Sequence, residues 1–112
     1  MELARIQWIV DRFGDRFLER VYTLEERRYC AGRIPQLAAR FAAKEAISKT
    51  LGTGLQGLRW SEMEIVVVEH GRPEVRLHGA ALERAQTLGL QEFAVSLSHS
   101  RGHAIAFVVA QG

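Results

Sequence analysis

The sequence predicts an α+β fold in which a small antiparallel sheet packs on one long central helix. Apolar residues at helical spacing fill the first half of the chain, and short β-branched runs separated by glycine turns fill the second half. Helices followed by strands are typical of the α+β class. The 112 residues suit a single domain, 1–112, with one core.

The first helix is predicted over residues 2–13 by an apolar stripe at helical spacing. Gly14 interrupts the pattern, which resumes over residues 17–21. Side chains on such a stripe are expected to face the core. The stripe consists of Leu3, Ile6, Ile9, Val10 and Phe13.

Two further helices are predicted before the strands begin. Thr23 followed three residues later by Glu26 is a capping-box signature, so a short helix should begin there. The long helix over residues 36–51 follows Pro35, which suits a first helical turn. Gly52 suits a left-handed end to this helix.

The second half predicts two hairpins with a short helix between them. The first hairpin joins residues 64–69 to residues 74–78, and the second joins residues 93–99 to residues 103–110. Residues 80–88 form the short helix. Each strand of the last hairpin has one face of small residues, and we expect the Ala-rich part of the long helix to pack on these faces. The small residues are Ala94, Ser96 and Ser98 on one strand and Ala104, Ala106 and Ala110 on the other.

Charged residues at helical spacing mark the long helix as a candidate site. Glu45 and Lys49 share one row of this helix, and Arg40 and Lys44 share the adjacent row. A carboxylate between lysines stays ionised and suits a hard cation such as Mg²⁺, while the cations suit phosphates. An ordinary Glu45–Lys49 surface pair worth about 0.3–0.5 kcal/mol explains the same spacing.

Two other polar clusters each allow two interpretations. His99 and Ser100 at a strand end suit phosphate or ribose contacts, although a lone histidine is also a common structural residue. No GxSxG elbow accompanies them, which disfavours a hydrolase. Arginines recur at helical spacing near the N-terminus, either as a solvated face or as a docking surface for an acidic partner. They are Arg5, Arg12, Arg16 and Arg20.

Composition narrows the functional class. The net charge of +2 is too small to indicate nucleic acid, and we find no aromatic-rich basic patch that would suggest it. No apolar run is long enough for a membrane span, and no signal peptide is recognisable. Cys30 is the single cysteine, and no metal-binding Cys/His spacing exists. These features predict a cytoplasmic protein that binds neither membrane nor nucleic acid.

Segments in order along nearly the whole chain resemble the holo-acyl-carrier-protein synthase family of 4'-phosphopantetheinyl transferases. The most specific are RFAAKEA at 40–46, followed by Lys49 and by LGTG at 51–54, and VSLSHS at 95–100. The other matching segments are 16–20 with Thr23, 71–73, 77–81 and 104–106.

This resemblance implies a 4'-phosphopantetheinyl transferase-like fold, a homotrimer with active sites between subunits, and a transferase activity in fatty acid biosynthesis. The reaction moves 4'-phosphopantetheine from coenzyme A to a serine of apo acyl carrier protein. The serine attacks the β-phosphate, Mg²⁺ lies on the pyrophosphate, and adenosine 3',5'-bisphosphate leaves.

The resemblance also implies roles for individual residues. Glu45 is expected to ligate Mg²⁺ and Lys49 to lie beside the pyrophosphate, which makes these two the catalytic residues. The expected coenzyme A contacts are Arg40, Lys44, Lys49, Gly52, Thr53, Pro73, His99 and Ser100. The expected surface for the acidic carrier helix is Arg5, Arg16, Phe17 and Arg20.

The sequence departs from the family at its start. The family opens with a strand carrying a G-x-D-x-x-E motif, whose aspartate is the second metal ligand; here Glu2 matches the glutamate, and the strand and aspartate are missing. Either the recorded start lies downstream of the true one or the protein lacks this ligand. We therefore expect poor Mg²⁺ binding by the chain as written. The alternative function is a catalytically impaired or inactive module that still binds the carrier or coenzyme A.

Overall fold

The computed structural model describes residues 1–52 and 56–112, and it confirms the α+β class. None of the helices in these two ranges is long and apolar enough to cross a membrane. The helices of the first half are α1 (Leu3–Phe13), α2 (Asp15–Val21), α3 (Leu24–Cys30) and α4 (Ile34–Thr50). A 3₁₀ turn (Trp60–Glu62) then leads to β1 (Met63–Val67), β2 (Pro73–Leu77), α5 (Gly79–Thr87), β3 (Glu92–His99) and β4 (Ala104–Gln111).

The helix boundaries follow the local signals in the sequence. Gly14 separates α1 from α2 with φ +54°, a value that L side chains rarely adopt. The predicted capping box of α3 is formed: the hydroxyl of Thr23 accepts the N–H of Glu26 at 3.2 Å, and the Glu26 carboxylate accepts the N–H of Thr23 at 2.9 Å. Pro35 lies in the first turn of α4, and Gly52 follows the helix with φ +80°. Both were predicted.

The strands form two antiparallel hairpins rather than one continuous sheet. β1 pairs with β2 and β3 pairs with β4, while β2 and β3 lie side by side. α4 packs across β4 and β3, as predicted for the long helix.

The prediction that α4 packs on the small face of each strand is correct for β4 and wrong for β3. Leu97 of β3 pairs with Ala106 of β4, so a large and a small side chain lie side by side on the same face. This arrangement gives α4 both a large apolar contact and room for close approach. The residues packed on the core are Phe93, Val95 and Leu97 of β3 and Ala104, Ala106 and Val108 of β4.

A buried ion pair joins α3, α4 and the start of β1. Lys44 is 0% exposed, and its Nζ donates to Glu26 Oε1 at 2.8 Å, to the carbonyl of Trp60 at 3.1 Å and to that of Met63 at 2.9 Å. The other carboxylate oxygen of Glu26 accepts the N–H of Ile65 at 2.9 Å. Burial lowers the pKa of the Lys44 ammonium, and the Glu26 carboxylate opposes that shift. Burial of both charges is tolerated because both groups are fully hydrogen-bonded.

We predict that Lys44→Met lowers the free energy of unfolding by about 3–5 kcal/mol, because it leaves the Glu26 carboxylate buried without its cation. Lys49→Met, at an exposed position of the same helix, is the matched control and should change stability by no more than about 0.5 kcal/mol. Urea unfolding at one fixed protein concentration measures both. Equal stability of the two variants would show that the buried pair does not hold these elements together.

Candidate functional site

A cavity of about 390 Å³ lies between the N-terminal half of α4 and the C-terminal half of β3. Three of the residues singled out in the sequence, Arg40, Pro73 and His99, line it. The rest of the lining is polar or small except for two side chains of the β3 core face. These other residues are Tyr29, Gln36, Ala39, Gly71, Arg72, Val95, Ser96, Leu97 and Ser98.

Arg40 brings an uncompensated charge to the wall of this cavity. The residue is 4% exposed, and its Nη1 donates to the carbonyl of Gln36 at 3.2 Å. Its Nε has no hydrogen-bond partner among the described residues, and none of their carboxylates forms an ion pair with it. A buried guanidinium without a counter-ion is costly, so an anionic ligand in the cavity would bind favourably.

The C-terminal end of α4 holds the second group of predicted residues. Glu45 is half-buried and Lys49 is exposed. Neither forms an ion pair within the described part of the chain, so the ordinary Glu45–Lys49 surface pair is not formed. The N–H of Gly52 donates to the carbonyl of Lys49 at 3.0 Å, which turns the chain directly after the helix. Thr53 lies outside the described residues.

These two groups face different sides of α4. At 3.6 residues per turn, Glu45 and Lys49 lie about 180° and 220° around the helix axis from Gln36. Gln36 and Arg40 line the cavity. The cavity wall and Glu45 of one chain therefore do not lie on the same face of the helix, and a ligand on that face cannot contact both.

Of the predicted coenzyme A contacts, Lys44 is already neutralised in the core and Ser100 lies outside the cavity. Lys44 donates to three acceptors in the core, so it has no hydrogen left for a phosphate. Ser100 lies beyond the end of β3, where its N–H donates to the carbonyl of His103 at 2.8 Å, and it does not line the cavity. Of the two cations in this row of α4, Arg40 therefore remains available to a ligand, whereas Lys44 is already neutralised.

A groove of about 460 Å³ between α1 and α2 contains three of the four predicted docking residues. Its basic members are Arg16 and Arg20, and its apolar lining includes Phe17. Arg5 is exposed on α1 but does not line the groove. The remaining lining residues are Trp8, Ile9 and Phe13.

The sequence did not predict the aromatic side of this groove. Phe13, expected in the core, is 47% exposed; it is the last residue of α1, and its ring packs edge-on against Trp8 at 6.4 Å. Trp8 is 58% exposed, and the guanidinium of Arg12 lies 5.5 Å from its ring. Folding thus creates an aromatic basic patch that was absent from the linear pattern. The position of Trp8 outside the apolar stripe of its helix could have indicated this patch from the sequence.

The outer face of β4 exposes three large apolar side chains. Ile105 is 60% exposed, Phe107 73% and Val109 58%. They alternate along one strand and therefore form one continuous patch. Such a patch on a small protein marks an interaction surface.

Comparison with known proteins identifies the family of this chain. A family model described as the 4'-phosphopantetheinyl transferase superfamily matches residues 1–108. A holo-[acyl-carrier-protein] synthase of Herpetosiphon aurantiacus is 47% identical over 119 residues, which covers 100% of this chain and 94% of that protein. One from Dehalococcoides mccartyi is 48% identical over 111 residues, covering 99% and 92%.

Among solved structures, Helicobacter pylori holo-[acyl-carrier-protein] synthase in complex with coenzyme A matches with a TM-score of 0.90 and 33% identity. The match covers 99% of this chain and 95% of that chain. Fold, sequence and nearly full coverage therefore lead to the same assignment. The chain belongs to the holo-[acyl-carrier-protein] synthase family within the 4'-phosphopantetheinyl transferase superfamily.

Proposed function

We propose that this chain transfers 4'-phosphopantetheine from coenzyme A to a serine of apo acyl carrier protein, releasing adenosine 3',5'-bisphosphate, in fatty acid biosynthesis. The observation that carries this proposal is the TM-score of 0.90, over 99% of the chain, to a synthase with coenzyme A bound. The non-catalytic alternative is not favoured, because relatives 47% and 48% identical over nearly their whole length are named as synthases.

The cavity beside α4 suits the nucleotide end of coenzyme A. Arg40, Arg72 and His99 supply cationic or hydrogen-bonding groups for its phosphates, and Pro73 supplies an apolar contact. The unpaired charge on buried Arg40 gives the strongest support, because coenzyme A is a polyanion. Gly52, with Thr53 beyond the described residues, remains proposed as a backbone contact to coenzyme A.

Glu45 is the proposed protein ligand for Mg²⁺. The described residues fit this ion only where phosphate oxygens and waters supply most of its ligands, because no three acidic, histidine or cysteine side chains among them converge. Mg²⁺ commonly binds in this way, through one or two carboxylates and substrate phosphates. When bound, the ion would neutralise charge on the pyrophosphate.

The protein's own contribution to the reaction is positioning and electrostatics. Phosphoryl transfer needs little covalent help, so fixed cations around the reacting phosphate lower the barrier. Lys49, one turn beyond Glu45, is proposed to stabilise the charge that develops on the departing bisphosphate. The serine hydroxyl of the carrier loses its proton as it attacks, and a carboxylate or a water must accept it.

We further propose a homotrimer with each active site shared between two subunits. Arg40 and Glu45 lie on different sides of α4, so a second subunit is needed to bring a cavity next to a Glu45. The exposed face of Ile105, Phe107 and Val109 is the proposed contact between subunits. Burying it would remove apolar surface that a small domain otherwise leaves in water.

The groove between α1 and α2 is the proposed docking surface for the carrier. Arg16 and Arg20 would steer the acidic carrier helix, and Trp8, Phe13 and Phe17 would receive an apolar side chain from it. Arg5 extends the basic surface along α1.

A cytoplasmic, reducing location completes the proposal. Cys30 is the single cysteine and is buried, so the chain has no thiol pair to oxidise. Burial raises the pKa of its thiol to about 11, which keeps it protonated and unreactive.

The proposed function is tested by incubating the chain with apo acyl carrier protein, coenzyme A and Mg²⁺. Intact-mass spectrometry of the carrier should show the added phosphopantetheine, and chelation of the metal should stop the reaction. An unmodified carrier, with coenzyme A still bound by the chain, would favour the non-catalytic alternative.

We predict that Glu45→Gln lowers metal-dependent kcat by 100-fold or more, about 2.7 kcal/mol of transition-state stabilisation, while the melting temperature stays within a few degrees. Glu83→Gln, at an exposed position of α5, makes the same chemical change and is the control. Near-normal transfer by Glu45→Gln would remove Glu45 from the site.

We predict that Phe107→Asp converts the trimer to monomers, because it puts a charge in the centre of the exposed β4 face. Sedimentation velocity measures the mass, and Leu82→Asp, which changes an exposed leucine on α5, is the control. A separate transfer assay tests site sharing: inactive Arg40 and Glu45 variants mixed within one trimer should regain activity at roughly a quarter of the sites. A trimeric Phe107→Asp, or no recovery in mixed trimers, would contradict the proposal.

We predict that Arg16→Glu raises the KM for the carrier about tenfold or more at low salt and leaves the Kd for coenzyme A unchanged. Arg28→Glu, on exposed α3 surface outside the groove, makes the same charge change and is the control. An unchanged carrier KM, or steeply salt-dependent binding of polynucleotide to the same groove, would overturn the docking assignment.

A further inference from the structure

Tyr29, at the edge of the cavity, lies close to two guanidinium groups. The Cζ of Arg40 is 4.6 Å from the centre of its ring, and the Cζ of Arg33 is 5.2 Å away. Tyr29 lines the cavity and is 42% exposed. Neither arginine forms an ion pair with a residue of the ranges 1–52 and 56–112. Two uncompensated cations therefore share one aromatic ring beside the proposed ligand.

The two arginines are fixed to different extents. Arg33 donates from Nε to the carbonyl of Cys30 at 2.9 Å and from Nη2 to that of Tyr29 at 2.6 Å, so the backbone sets its orientation. Arg40 has one hydrogen bond, to the carbonyl of Gln36 at 3.2 Å, and its Nε has no partner among the described residues. The ring of Tyr29 is the aromatic contact that limits rotation of the Arg40 guanidinium.

We propose that Tyr29 is a positioning residue whose ring holds the Arg40 guanidinium ready for an anionic group of coenzyme A. The inference rests on the proposed function, since coenzyme A is the ligand assigned to this cavity. The ring's negative face offsets the repulsion between Arg33 and Arg40 before the ligand arrives. Because two cations already lie against the ring, Tyr29 acts through Arg40 rather than by stacking on the nucleotide base.

Tyr29→Leu tests the ring, and Tyr29→Phe is the matched control because it keeps the ring and removes only the hydroxyl. We expect Tyr29→Leu to raise the Kd for coenzyme A, measured by calorimetry, and the KM for coenzyme A about tenfold each. The kcat and the carrier KM should stay unchanged, and Tyr29→Phe should behave as the unaltered chain does. A lower melting temperature with unchanged coenzyme A affinity would make Tyr29 purely structural and overturn the proposal.

A double-variant cycle tests whether Tyr29 acts through Arg40. In an Arg40→Gln background, Tyr29→Leu should weaken coenzyme A binding by less than twofold further, because the group it positions is gone. Arg40→Met, which also removes the cation, replaces Arg40→Gln if the latter does not fold. A full tenfold loss in both backgrounds would mean that Tyr29 acts independently, which contradicts the proposal.

Failure of this inference is distinguishable from failure of the proposed function. If the unaltered chain neither binds coenzyme A nor modifies the carrier, the proposed function fails. If it does both, and Tyr29→Leu binds coenzyme A equally tightly, only the role of Tyr29 is refuted.

Discussion

The buried pair of Glu26 and Lys44 is the interaction on which the arrangement of this protein depends. Each charge is removed from water, and each is satisfied by the other together with backbone groups of the 3₁₀ turn and β1. Such a pair tolerates little displacement, because a shift of any one partner leaves a charge buried and unpaired. It therefore fixes α3 against α4, and these helices carry Tyr29 and Arg40 respectively.

Lys44 and Arg40 illustrate how position decides what a cation does. They lie one turn apart on α4, and both are buried. Lys44, a compact ammonium, finds three acceptors in the core. Arg40 has a larger planar group with more donors than its surroundings use, so part of its hydrogen-bonding capacity remains for a ligand. The same helix thus supplies one charge for stability and, under the proposed function, one for binding.

The placement of residues around α4 also supports the proposed oligomer. The cavity lies on one side of the helix and Glu45 on another, and the outer face of β4 leaves three large apolar side chains in water. A small domain gains both apolar burial and a complete site from a second copy of itself. This placement of polar and apolar residues supports the proposal that the active site lies between subunits.

The sequence by itself determined the helix bounds to within about two residues, the α+β class and the family, because capping residues, glycine turns and the RFAAKEA and VSLSHS motifs act or are recognised locally. It did not determine which face of β3 meets α4, since alternation defines two faces and only the pairing with β4 chooses between them. Nor did it distinguish Lys44 from Arg40, because the carboxylate that neutralises Lys44 is 18 residues away. Tertiary packing decided these points, since burial and long-range partners exist only once distant segments are brought together.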